Sequence, residues 1–345
     1  MKNYLTYRSR KLPLSFLIDK KALWLTLFLL LLTFAVVVIS TGLGSMFIHP
    51  LDVLSVLFGG GSEINQVVVL NLRLPRIIVA LLVGIALGVA GSIMQSLMRN
   101  PLASPDIVGV TGGASAAAVA FLTLFEGISI HYLPFAAFVG AAVVTLLIYL
   151  LAWKKGVTPL RLVLVGVGIG AAMQALTTLL IVTSPIHLTS KAMIWLSGTV
   201  YGSNWNNVLT LLPWVVVFIP LTFIFARSIN AQQLGDEVAT SIGEPVHRHR
   251  FLLMLFCVAL AGSAVAVGGA IGFVGLLAPH IARKLVGPSL GALIPTSAVI
   301  GGLIVLLADL IGRLAFDPLD VPVGIFTAAI GAPFFIFLLY KHRNH

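Results

Sequence analysis

The chain has 345 residues, 59% of them hydrophobic and only 9% charged, with a formal net charge of +10. Soluble domains carry about 25% charged residues, so this composition, with a mean hydropathy of +1.08, excludes an ordinary soluble globule. Repeated apolar runs of about 20 residues indicate membrane-crossing helices, and the alternating segments of a transmembrane β-barrel are absent. The basic balance points to no nucleic acid, because an excess of Lys and Arg in cytoplasmic loops is the usual orientation signal of a membrane chain.

Residues 1–21 form a basic segment, expected to be a cytoplasmic tail. The apolar run after it is long and no small-residue cleavage site follows, so it reads as a retained first span. Hydropathy then places ten spans, at 22–46, 76–97, 106–125, 132–153, 160–183, 207–226, 251–269, 272–287, 293–314 and 322–340. The eighth is short and interrupted by Gly and Pro. The expected fold is therefore all-α and polytopic, a ten-helix transmembrane domain over 22–340 with a short C-terminal tail at 341–345. With the N-terminus inside, seventeen of the 21 Lys and Arg residues fall on the cytoplasmic side, which places both termini there. Arg73, Arg76, Lys191 and Arg313 fall outside.

Two outer segments exceed a turn. Residues 49–74 contain the amphipathic piece PLDVLSVLF, and 185–207 contain Trp195, Tyr201 and Trp205, which suit an interfacial aromatic belt. Surface-lying helices over the outer mouth are the plain reading of both. A weak internal echo links ALGVAGSIMQSLMRNPLASP with AVAVGGAIGFVGLLAPHIAR; two halves of five spans would be inverted relative to each other.

The longest polar interruption is Arg227–Arg250, a cytoplasmic loop holding Asp236, Glu237 and Glu244, three of the eleven acids. Gln232–Ile242 reads as a short helix ended by Gly243. Leu234, Val238 and Ile242 recur at i, i+4 and i+8 and give it an apolar face. No GxxxxGK[ST] occurs, so an energy source acting through this loop has to come from another chain.

Few groups within the spans could carry chemistry. Asp309, in the ninth span, is the clear exception, and an intramembrane acid raises a functional question. It pairs with Arg313 one turn on, which is the favoured reading, or serves a proton relay. Gln95 and Gln174 line a pathway or bond across helices. His280 reads as an interfacial residue before a metal ligand, and the single Cys257 as a small buried or lipid-facing group. Glycines crowding several spans suit close helix packing. No HExxH or GxSxG and no paired intramembrane carboxylates appear, so neither a catalytic residue nor a metal site is expected. The outer arginines Arg73, Arg76 and Arg313 run against the orientation rule. They snorkel to the outer leaflet or dock acids of an extracytoplasmic partner.

Several motifs, in order, resemble one family. They are LRLPRIIVALLVGIALGVAGSIMQSLMRNPLASPDIVGVTGGA, KAMIWLSGT, LGDEVATSIG, GGAIGFVGLLAPHIARKLVG, ADLIGRLAF and VPVGIFTAAIGAPFFIFLL. Over about 50–340 the chain is similar to the FecCD-type permeases, membrane subunits of ABC importers for ferric siderophores, haem and cobalamin. One departure is Asp320-Val321-Pro322, where the family more often has Glu-Leu-Pro. The resemblance implies a type II importer permease that works as a dimer with an identical or sister permease chain. It also implies two cytoplasmic ATPase subunits that use ATP and Mg, an external binding protein, and no cofactor bound by this chain. The family's coupling element falls on Leu234, Gly235, Asp236, Glu237, Val238, Ala239, Ile242 and Gly243. Its binding-protein contacts fall on Arg73, Arg76 and Arg313. Its translocation path runs where the fifth and tenth spans meet. Gln95, Asn100, Pro101, Gln174, Asp309 and Gly324 are the translocation or structural candidates. A ferric siderophore is the expected cargo, ahead of cobalamin and haem, and a proton-coupled transporter using Asp309 is the competing class.

Overall fold

A computed structural model describes residues 4–8, 15–125, 127–154, 158–316 and 319–342. A small antiparallel hairpin, β1 (Tyr4–Arg8) on β2 (Ser15–Asp19), occupies the expected N-terminal tail. Helices follow. The first are α1 (Lys20–Gly42), α2 (Pro50–Leu57), α3 (Glu63–Gln66), α4 (Leu74–Leu97) and α5 (Val110–Leu124). Next come α6 (Leu133–Ala152), α7 (Pro159–Val182), α8 (Ile186–Leu196) and α9 (Trp205–Ile224). The chain ends with α10 (Ala226–Gln233), α11 (Asp236–Ser241), α12 (Val246–Gly268), α13 (Val274–Val286), α14 (Leu290–Leu314) and α15 (Val323–His342).

Among the described residues, eight helices are long and apolar enough to cross a membrane. The third and eighth expected spans correspond to the shorter α5 and α13, of 15 and 13 residues. At 1.5 Å per residue they reach roughly 20 Å, less than the ~30 Å hydrocarbon core. Both are short for the same reason, because irregular backbone precedes them. Residues 98–109 separate α4 from α5, and 269–273 separate α12 from α13. The break before α13 ends on Phe273 at φ 66°, an uncommon conformation for a residue with a side chain. The two echoing stretches break at different places, after Leu97 in the first and at 269–273 in the second, so the sequence echo is not matched residue for residue by the helices.

The central helix is α4, buried along nearly its whole length between α12, α13 and α14. Its glycines explain the closeness. A Cβ on Gly84 would lie 2.1 Å from the Gly301 carbonyl oxygen, one on Gly88 2.4 Å from that of Ser297, and one on Gly91 1.8 Å from that of Gly275. Lipid supplies little hydrophobic drive for helix association, so contact between backbones has to supply the packing. At the periphery, α1, α7, α9 and α15 keep long apolar faces exposed, as helices touching lipid or another chain do. The outer segments also form as expected, with α2 and α8 lying at one end of the bundle.

Candidate functional site

Two polar clusters sit at opposite ends of the bundle. The end bearing Arg99, Arg248, Arg250, Arg283 and Lys284 is the inner one by the orientation rule. The other collects the ends of α1 and α14 and the starts of α4 and α9.

At the outer end three arginines hold the helices together. Arg73 is buried and donates to the carbonyl oxygens of Thr41 (2.8 Å), Gly42 (3.2 Å) and Met46 (2.6 Å), closing the turn after α1. Arg313 donates to the Ser40 carbonyl oxygen at 2.7 Å and to its hydroxyl oxygen at 3.0 Å. Arg76 binds two carboxylates. Its Nε and Nη2 reach Asp309 Oδ1 at 2.9 and 2.7 Å, while Nη1 and Nη2 reach Asp320 at 2.8 and 2.6 Å. Its guanidinium carbon also lies 5.5 Å from the Tyr201 ring centre, a cation–π distance.

One expectation changes here. The hydrogen-bonded partner of buried Asp309 is Arg76 on α4, not Arg313 at i+4, because close α4–α14 packing brings Arg76 alongside while Arg313 turns toward α1. Each of the three arginines expected at a docking surface also bonds to groups of this chain. Burial explains that use, because charges out of water need partners within reach. Lys191 is the one outer basic residue of the four that remains exposed. Trp205, expected in an aromatic belt, donates its indole N–H to the Leu70 carbonyl oxygen at 3.0 Å.

At the inner end the polar loop folds into α10 and α11 with a sharp break between them. The expected single helix from Gln232 does not form. Gly235 takes φ 119°, a region that glycine enters readily and other residues avoid, so α11 starts afresh at Asp236. Gly243, at φ 85°, ends it as expected. Leu234, Val238 and Ile242 are 68%, 46% and 65% exposed, whereas Ala239 is buried. Glu237 is exposed beside them. The apolar face foreseen from the spacing therefore points away from the chain, with nothing among the described residues covering it.

What holds this element is Asp236. Its Oδ1 accepts from Arg250 Nη2 at 2.8 Å and from Arg99 Nη2. Arg99, which follows α4, also donates from Nε to the Gln232 carbonyl oxygen at 2.8 Å and adopts φ 49°. Partial burial would raise the Asp236 carboxyl, but the hydrogen bond and charge of Arg250, with Arg99 behind them, hold it below the usual carboxylate range. Glu244 is held low in the same way against its burial, by the Ser228 hydroxyl and by His249. The loop is thus fastened both to the end of α4 and to the start of α12.

The remaining candidates separate. Gln95 is buried, donates to the Leu276 carbonyl oxygen at 3.2 Å and accepts from Arg283 at 3.3 Å, so it bonds across helices. Asn100 caps its own turn by accepting from the Leu102 N–H at 2.9 Å, and Pro101 lies beside it at the rim of an inner cavity. Gly324 is a close approach: a Cβ there would meet the Ser197 carbonyl oxygen at 2.1 Å. Gln174 faces outward, on the exposed side of α7, and Asn100 is exposed as well. His280 is buried, with its ring edge-on to Phe334, and no group of three or more metal-binding side chains gathers among the described residues. Sequence reasoning missed Arg99, Asp320, Arg283 and Ser96. Each lies in or beside a quoted motif, but nothing local marks its partner.

The FecCD transport family model matches residues 30–341. The chain belongs to the FecCD transport family. "Probable siderophore transport system permease protein YfhA" of Bacillus subtilis (strain 168) is 51% identical over 94% of this chain and 97% of its own length. The achromobactin transport system permease protein CbrC of Dickeya dadantii (strain 3937) is 48% identical over 91% of this chain and 90% of its own. A solved structure described as an inward-facing metal-chelate type ABC transporter superposes with a TM-score of 0.83 at 30% identity. That match covers 92% of this chain and 99% of the other. Family membership and the apolar helices make this a multi-pass membrane protein.

Proposed function

We propose that this chain is the permease subunit of a binding-protein-dependent ABC importer of the cell membrane, and that its cargo is a ferric siderophore. The observation that carries the coupling half is α11, an uncovered apolar face at the inner end, fastened by Asp236 to α4 and α12. A partner ATPase that closes on ATP and Mg would push on Leu234, Val238 and Ile242. The Arg99–Asp236–Arg250 linkage would pass that push to the two helices flanking the central packing. Rigid-body rearrangement of the helices then alternates access. This chain contributes pathway and lever, with no covalent step. Asp309, engaged by Arg76, serves as part of an outer clasp and not as a proton relay.

The cargo half is supported by the siderophore and achromobactin permeases that resemble the chain over nine-tenths of its length. An external binding protein would dock at the outer end, near the exposed rim that includes Asp320 and Lys191. A second permease chain would cover the exposed faces of α7 and α15.

Val238→Asp places a charge on the exposed face without touching the fold. The expected outcome is loss of ATPase co-purification and a transport rate at least tenfold lower, while helix content and thermal midpoint stay unchanged. Retained ATPase binding would remove α11 from the interface. Uptake assays with iron-labelled siderophore, haem and labelled cobalamin in cells lacking and regaining this chain test the cargo. Rescue confined to cobalamin or haem would overturn the siderophore assignment.

A further inference from the structure

Where α4 ends, a cavity of about 190 Å³ opens between α4, α10 and α13, lined by Gln95, Ser96, Arg99, Pro101, Gln233 and Arg283. Its wall is short of partners. Ser96 is 2% exposed and its hydroxyl oxygen makes no hydrogen bond. The side-chain nitrogen of Gln233 and Nε of Arg283 are also buried and unbonded among the described residues. Three residues lining one space thus carry unsatisfied polar atoms, which is unusual, because buried donors and hydroxyls ordinarily find partners.

The charge around the cavity is unbalanced in the same direction. Arg99 is offset by Asp236. Among the described residues Arg283 bonds to the neutral Gln95 side chain alone, through Nη2 at 3.3 Å. Among the described residues no carboxylate lies within ion-pair distance of Arg283.

We infer that this cavity binds a small phosphate-type oxyanion. Such an anion offers several acceptors and no obligatory donor, so it satisfies a hydroxyl, an amide N–H and a guanidinium together. Water would satisfy the dipoles and leave the Arg283 charge uncompensated. Size selects the same class. The volume is many times the roughly 10–15 Å³ that one water needs, yet below the roughly 300 Å³ at which drug-sized pockets begin. The group could be inorganic phosphate or the headgroup of an acidic phospholipid reaching the inner end, since the two present the same chemistry. Either would bridge α4, α13 and α10, one residue ahead of Leu234. The binding itself stands apart from the transport reading and is measured without any partner chain.

The test uses the full chain in phosphatidylcholine nanodiscs, comparing sodium phosphate with sodium chloride at matched ionic strength. A second arm replaces part of the lipid with phosphatidylglycerol and omits phosphate. Wild-type protein should gain several degrees in thermal midpoint over the chloride control in at least one arm, and the responding arm identifies the source. Arg283→Gln should abolish that gain. Ser96→Ala, which leaves the charge in place, should weaken binding on the order of tenfold, as for a hydrogen bond to a charged group, without lowering the midpoint of the unliganded protein. No gain in either arm, or an equal gain in Arg283→Gln, overturns the site. Should Arg283→Gln fail to fold, undiminished affinity in Ser96→Ala overturns it instead.

Discussion

Arg76 shows how one side chain can decide the outer end of this molecule. Its partner Asp309 is buried, and removing one member of a buried ion pair costs about 3–5 kcal/mol, chiefly by leaving the other charge uncompensated. Arg76→Ala should therefore lower the thermal midpoint of the solubilised protein strongly. Adding Asp309→Asn should restore part of the loss, and a double variant no more stable than the single one would assign the cost to lost packing. At the inner end the sign of the Asp236 shift sets a pH window. A carboxyl held below its unfolded value contributes stability that is complete above about pH 4, the ordinary range for Asp. That contribution disappears as pH falls through the lower folded value. Amide protection factors across 234–243 should accordingly drop in acid, and Asp236→Asn should show low protection at every pH. Protection that ignores pH in the wild type would mean that the ionic linkage does not fasten the loop.

Among the elements, α4 depends on its glycines and α11 on its break. Gly88→Leu would drive a side chain into the backbone of α14, where a Cβ already meets the Ser297 carbonyl oxygen at 2.4 Å. Overpacking of this kind costs about 1–3 kcal/mol, and backbone contact leaves little room for relief. The same change at Gly170 on α7, where a Cβ meets nothing within 4 Å, should leave the isolated chain as stable as before. Equal losses at both sites would mean that interhelical closeness does not set the effect, since Gly→Leu by itself favours the helix. For α11 the i, i+4, i+8 spacing of Leu234, Val238 and Ile242 located the face, but not that Gly235 would divide the helix. Hydrophobic spacing extends across a glycine that can remain helical or leave the helix, and the choice rests on the fastening of Arg99 to Gln232 and Asp236.

For the molecule as a whole, the unequal burial of its helices carries the assembly argument. The core helices α4, α12 and α14 are mostly buried, whereas α7 and α15 are largely bare. Bare faces meet either lipid or another chain, and the family resemblance puts the translocation path where these two helices meet their counterparts. Ile330→Cys, on the exposed face of α15, should give a dimer-sized product with a short bifunctional thiol reagent in native membranes. Leu150→Cys, equally exposed on α6, should not. The only native cysteine, Cys257, is buried, so the background is clean. Crosslinking at α6 and not at α15 would move the dimer face.

The long apolar helices and the position of the polar loop were legible from residue order alone, because hydropathy is a sum over neighbouring positions. The FecCD motifs were legible for the same reason, each being a contiguous run. The partners of the arginines were not. Arg76 meets Asp309 across 233 residues of chain, and the i+4 rule offered Arg313 only because it considers a single helix. The shortness of α5 and α13, the uncovered face of α11 and the unpaired charge of Arg283 likewise depend on which distant backbones come together. In a membrane interior, where solvation of polar groups is scarce, that choice falls to packing, which brings Arg76 to Asp309 and leaves Arg283 without a carboxylate among the described residues.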